Sequence, residues 1–180
     1  MKSVLISIQP KWCELIASGK KTIEVRKSKP KLETPFKVYI YCTQGDKSQA
    51  LLGGNPMRIV TCTNYKLAMP VGCYIANGKV IGEFVCNCIG TVGWTSNPSK
   101  IDWRKGVYNE ETCLTNEETY EYTKGEKFYE WNISDLVIYD EPKSLGEFNH
   151  CGVNYHFDPP VTKPPQSWCY VEGSDTQCQE

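Results

Sequence analysis

Gly19-Lys20-Lys21-Thr22-Ile23-Glu24-Val25-Arg26-Lys27 is the stretch on which the reading of this chain turns. A helix ends at its glycine and a strand begins at once. Upstream, Pro10 suits a first helical turn, where its missing N–H leaves no bond unmade. Trp12, Leu15 and Ile16 give that helix an apolar stripe at three- and four-residue spacing, and Gly19 ends it. Before the helix, Val4, Ile6 and Ile8 alternate with Leu5, Ser7 and Gln9, a strand that puts Ser7 and Gln9 on one face. After it, Ile23 and Val25 point one way, and Thr22, Glu24 and Arg26 the other. Glu24 and Arg26 therefore stand side by side, with Lys21 near the strand's mouth.

That trio can carry chemistry. Arg26 can fork onto a carboxylate or a phosphate. A lysine near other cations, once desolvated, can serve as base or nucleophile. In an enzyme, Lys21, Glu24 and Arg26 would be the catalytic candidates. The plain alternative is a salt bridge at a strand edge.

Further out, residues 36–42 read as a strand, aromatic and β-branched. Residues 43–70 contain the breaker Gly53-Gly54-Asn55-Pro56 and read as a long excursion with at most one short element. Asn77-Gly78 between 71–76 and 79–89 signals a hairpin. Residues 94–108 read as loop. Thr115 and Glu118 form a capping box opening a short helix through Tyr122, stopped at Gly125. Strands follow at 128–133 and 136–139 around a Ser134-Asp135 break, then a connection at 142–148 and a last strand at 168–171. The expected fold is α+β and mainly β: a closed or partly closed β-barrel with short flanking helices. The expected organisation is one domain over 1–172, with 43–70 and 91–112 as candidate insertions and 173–180 as a polar tail.

Composition narrows the class. The chain has 180 residues, 40% hydrophobic and 23% charged, which excludes disordered, collagen-like and coiled-coil chains. No apolar run nears the ~18 residues of a membrane span. The apolar stretch at 4–8 is too short for a signal peptide, so a cytoplasmic location and no membrane are expected. Ten cysteines then read as reduced core thiols. Cys86, Cys88, His150 and Cys151, with His156 near, are the set to weigh for zinc. They lack paired C-x-x-C knuckles, so neither metal nor cofactor is expected. No P-loop, dinucleotide fingerprint or Ser-His-Asp arrangement is present.

Charge is uneven. Residues 1–70 carry 12 Lys or Arg against 4 Asp or Glu, a balance of +8; residues 71–180 carry 8 against 17, a balance of −9. The basic excess lies between Lys2 and Lys37 and suits an anionic partner, nucleic acid first among them. A solvated lysine-rich surface is the alternative.

Ser7-Ile8-Gln9-Pro10-Lys11 together with Gly19 to Arg26 resembles the signature of the ASCH domain, a PUA-like β-barrel family. Val80-Ile81-Gly82-Glu83-Phe84 is similar to that family's central barrel strand. Pro164-Pro165-Gln166-Ser167-Trp168-Cys169-Tyr170-Val171 looks like the closing strand of phage- and bacteria-encoded members. Residues 43–70 and 91–112 match no part of the pattern. The resemblance implies a cleft that binds RNA or a nucleotide-like ligand. Some small members hydrolyse the acetyl amide of N4-acetylcytidine, and others are ribonucleases. In the small amidohydrolases a lysine is followed three residues on by a threonine and two further by an arginine. Lys21 and Arg26 match, whereas Glu24 stands in the threonine's place.

On this resemblance Arg26, Lys21 and Lys11 would meet phosphates or a base carbonyl. Ser7 and Gln9 join them, and Gln166 and Ser167 would bond a base edge. Trp168, Tyr170 or Trp12 would stack on a base; Trp12 on its apolar stripe reads rather as core, whereas Trp168 and Tyr170, which alternation points the same way, read equally as core or cleft. The enzyme alternative makes Glu24 or Lys21 the base for water, with Arg26 and Lys11 at the oxyanion. A third alternative is a protein-interaction module using the acidic second half. Oligomeric state is not legible.

Overall fold

A computed structural model describes residues 1–45, 49–54, 57–62, 71–94, 108–152 and 158–173. The chain opens with β1 (Lys2–Ile8) and α1 (Pro10–Ala17). Pro10 sits in the first turn of α1, and Gly19, just past its end, takes a φ of 72°. Then come β2 (Ile23–Arg26) and β3 (Phe36–Cys42). β4 (Gln49–Gly53) pairs with β5 (Arg58–Cys62) on one edge and with β6 (Tyr74–Ile75) on the other. β7 (Lys79–Cys86) and β8 (Ile89–Val92) follow.

β9 (Tyr108–Asn109) and β10 (Leu114–Thr115) pair and lead into α2 (Asn116–Thr123). Thr115 and Glu118 close both halves of the expected capping box, and Lys124 at φ 59° ends the helix. β11 (Phe128–Asn132), β12 (Ser134–Lys143), a 3₁₀ turn at Leu145–Glu147 and β13 (Trp168–Glu172) complete the described chain.

The architecture is mainly β with short helices, as the sequence predicts. Its strands form a five-stranded sheet in the order β12-β7-β3-β1-β13, two three-stranded sheets, β2-β11-β8 and β5-β4-β6, and the β9-β10 pair. Among the described residues these ladders do not join into one closed ring. β1 is buried along almost its whole length, because β3 and β13 flank it and both faces of the main sheet are covered. Val4, Ile6 and Ile8 face one core with Trp131, Phe36 and α1; Leu5 faces a second with Tyr39, Phe148 and Val171. Each such side chain, fully buried, contributes about 1.5–3 kcal/mol. Gly82 lies in mid-strand where the backbone of Val137 approaches too closely for a side chain.

Four local expectations change. α1 buries Pro10, Cys13 and Ile16, which rotates the apolar stripe and leaves Trp12 only half-buried. The 43–70 stretch contributes a strand pair, which packs under α1; its residues 63–70 lie outside the described ones. Asn77-Gly78 is a turn with Gly78 at φ 76°, but its flanks do not pair with each other. β6 joins β4, whereas β7 joins β3 and β12, so the turn links two sheets. Asn77 pins the junction: its carbonyl accepts the Ala50 N–H, and its amide donates to Gln44 O at 2.6 Å. Finally, Asp135 at φ 48° is an irregularity inside β12, and the break falls at 133.

Nine cysteines are free among the described residues. No described helix is long and apolar enough to cross a membrane. The loop expected at 94–108 falls mostly outside the described residues, as does the tail from 174 on.

Candidate ligand cleft

The face of β2 that carries Glu24 and Arg26 forms the floor of a cleft of about 680 Å³. One wall is the end of β1 with Trp12 of α1, the second is α2, and the third is the approach to β13 at Gln166 and Ser167. Lys21, Glu24 and Arg26 all line it, yet they expose only 2%, 6% and 8% of their surface. Glu24 is held from both sides: Arg26 Nη2 lies 2.9 Å from Oε1, and Lys21 Nζ lies 3.4 Å from Oε2. Lys21 also donates to the Thr112 carbonyl at 2.6 Å. Arg26 donates to the Ser7 carbonyl at 2.6 Å, while its Nε has no hydrogen-bond partner among the described residues.

Ser7 is a joint between the floor and the third wall. Its hydroxyl donates to Pro165 O at 2.6 Å and its N–H to Ser167 O at 2.9 Å. Gln166 and Ser167 are thereby held in the lining of the same cleft as Arg26.

Helix α2 supplies what the sequence did not advertise. Glu118, Glu121 and Tyr122 of the helix, with Leu114 of β10 before it and Lys124 just after it, line the cleft. Burial raises the Tyr122 hydroxyl, partly offset by the charge of Arg26. Three cations and three carboxylates line the cleft in all, so its charges balance. The apolar pattern of α2 is weak, and the capping box announces a helix without saying what it faces. Sequence reasoning had no signal for this wall. Trp12, by contrast, reads from the sequence as core because it lies on the apolar stripe, but the rotated stripe leaves it half-buried. It lines the cleft, with the ammonium groups of Lys11 and Lys21 at 4.3 and 5.3 Å from its ring.

Ser7, Gln9, Lys21, Glu24, Arg26, Gln166 and Ser167 all come together in the cleft. Lys11, Trp168 and Tyr170 do not line it. Lys11 is exposed and lies over Trp12. Trp168 and Tyr170 pair with Ile6 and Val4 of β1 and so pack on the first core, with Trp168 6.1 Å from Trp131. Among the described residues no group of three or more His, Cys, Asp or Glu could hold a metal. Cys86 instead donates to Cys88 O at 3.4 Å, and burial pushes its thiol up to about 12. His156 lies outside the described residues.

No curated protein matches this chain. Its fold is similar to the crystal structure of an ASCH protein from Zymomonas mobilis, at 22% identity, with a TM-score of 0.56, over 97% of this chain and 91% of that one. A mutant form of the same protein gives the same score and identity over 96% of this chain and 91% of that one. A second mutant form gives 0.55 at 21% identity, over 94% and 88%. At these identities the likeness concerns the fold. The ASCH domain pattern itself matches residues 6–145, with the Lys21–Glu24–Arg26 strand and both cleft-lining helices inside the match, and the chain therefore belongs to the ASCH domain family.

Proposed function

We propose that the cleft binds a nucleoside-like unit of RNA, with Arg26, Gln166 and Ser167 as the polar contacts and Trp12 or Tyr122 as the stacking surface. One observation supports this above the others. Three side chains of the charged types, more than nine-tenths buried and in salt-bridge contact, are kept at the floor of an open cleft, with one guanidinium N–H unpaired among the described residues. A fold that needed only stability is served as well or better by apolar side chains there. Buried charge clusters in clefts are typical of ligand sites. The balanced charge of the lining favours a polar, uncharged base and ribose over bare phosphate.

Hydrolysis at the same cleft is the second reading, favoured by the Lys21–Glu24 contact at 3.4 Å. Against it, both carboxylate oxygens of Glu24 are already engaged. The test incubates purified protein with N4-acetylcytidine, other modified nucleosides and a short single-stranded RNA. Binding and product are followed together, in wild type and Lys21→Ala. Binding without product is the expected result. Product that disappears in Lys21→Ala makes the protein a hydrolase, and neither binding nor product leaves a protein-interaction module.

A further inference from the structure

Between β2 and β3 the chain leaves the edge of one sheet, passes β13 and enters the other sheet at its middle strand. This crossing carries Lys27, Lys29 and Lys31, all exposed, and no carboxylate occurs from 25 to 32. The loop is pinned to β13 at two points. The Trp168 indole N–H donates to Ser28 Oγ at 3.0 Å, and the Lys31 N–H donates to the Tyr170 hydroxyl at 2.7 Å. Aromatic rings alternate with the cations. Lys27 lies 5.1 Å from the Tyr122 ring, Lys29 lies 5.6 Å from Tyr129, and Lys2 lies 4.0 Å from Tyr170. Lys27 and Lys29 are thus each steadied on a ring face, Lys2 adds a third such cation from β1, and all three lysines of the crossing are exposed.

This ridge begins where the cleft ends. Arg26 is the floor and Lys27 is the next residue; Tyr122, 41% exposed, belongs to both. The cleft's own charges balance, so affinity for a polyanion has to come from outside it. Cations interleaved with aromatic rings are the composition of single-strand grooves, whereas a duplex has no unstacked base to offer Tyr122.

We propose that single-stranded RNA whose one base sits in the cleft runs its phosphates along Lys27, Lys29 and Lys31. The ridge spans up to ~13 Å of extended chain. This rests on the cleft reading above for where the strand begins, not for the ridge itself.

The experiment measures anisotropy of a labelled single-stranded RNA of about eight nucleotides across a salt series. It compares wild type, the triple variant Lys27→Ala, Lys29→Ala, Lys31→Ala, and a control pair Lys79→Ala, Lys143→Ala. Nucleoside binding and melting curves are taken on the same samples. The triple variant should bind RNA at least tenfold more weakly. Its slope of log affinity against log salt should fall by about 2, because each phosphate no longer neutralised by a lysine removes roughly 0.7. The control pair should match wild type, and nucleoside binding and melting should not change in the triple variant. RNA binding by the triple variant equal to wild type overturns the ridge, as does a duplex bound as tightly as the single strand. Nucleoside binding with no tighter RNA binding also overturns it. The expected ridge result with no nucleoside bound by wild type keeps the ridge and overturns the cleft reading. Wild type that binds neither overturns both.

Discussion

The guanidinium of Arg26 donates to the backbone carbonyl of Ser7 at 2.6 Å. This bond ties the floor of the cleft to the end of β1, and Ser7 in turn holds the segment before β13. A residue with a candidate binding role therefore also has a structural one.

Arg26→Ala leaves the buried Glu24 carboxylate with Lys21 as its remaining salt-bridge partner among the described residues. Breaking a buried pair from one side typically costs about 3–5 kcal/mol, much more than an exposed pair. Urea unfolding of Arg26→Ala, Glu24→Gln and the double variant should show strong coupling, with the double variant less destabilised than the sum. Additive losses would mean that the pair contributes nothing of its own.

Trp131 is fully buried, meets Phe36 edge-on with ring centroids 5.9 Å apart, and carries an indole N–H with no partner among the described residues. Trp131→Ala should cost about 3–5 kcal/mol from the cavity it leaves. Trp131→Phe should cost clearly less, because it removes the unpaired donor along with part of the ring volume. Denaturation midpoints of the two variants decide this.

Thr115 accepts from the Glu118 N–H at 3.1 Å, and Glu118 accepts from the Thr115 N–H at 2.9 Å. Thr115→Ala should cost about 1 kcal/mol. Because α2 is a cleft wall, the same change should speed amide exchange over 116–123 and weaken nucleoside binding, while the main sheet keeps its protection.

Two carboxylates should make opposite contributions to pH dependence. Burial pushes Glu83 up, but hydrogen bonds from Lys37 and Tyr139 and the charges of Lys37 and Lys143 outweigh it and hold the carboxyl below its usual range. Its contribution is full above the unfolded value of ~4.3 and lost as pH falls through the lower folded value. Burial, and then the nearby Glu111, raise Glu130. Its contribution is full below ~4.3 and lost as pH rises through the higher folded value. Glu83→Gln should therefore flatten the acid side of a melting-temperature profile, and Glu130→Gln should raise the melting temperature at neutral pH. A profile unchanged by either would contradict the assignment.

Local rules in the sequence determined much of this protein. Pro10 and Gly19 bound α1, Thr115 and Glu118 open α2, and alternation along 23–26 puts Glu24 and Arg26 on one face, because these features depend on neighbours a few residues apart. The ASCH pattern in the same stretch pointed to the family that the match over 6–145 established. What alternation cannot say is which face looks where. Trp168 and Tyr170 share a face in either case; only pairing of β13 with β1 turned that face to the core. The Asn77-Gly78 turn is legible, but whether its arms pair with each other depends on the edges of β4 and β3, distant in sequence. Helix α2 became a cleft wall because β11, which follows it, pairs with β2. The charge balance of the cleft is likewise a sum over segments from residue 21 to residue 124, and only the tertiary structure decided which charges enter it.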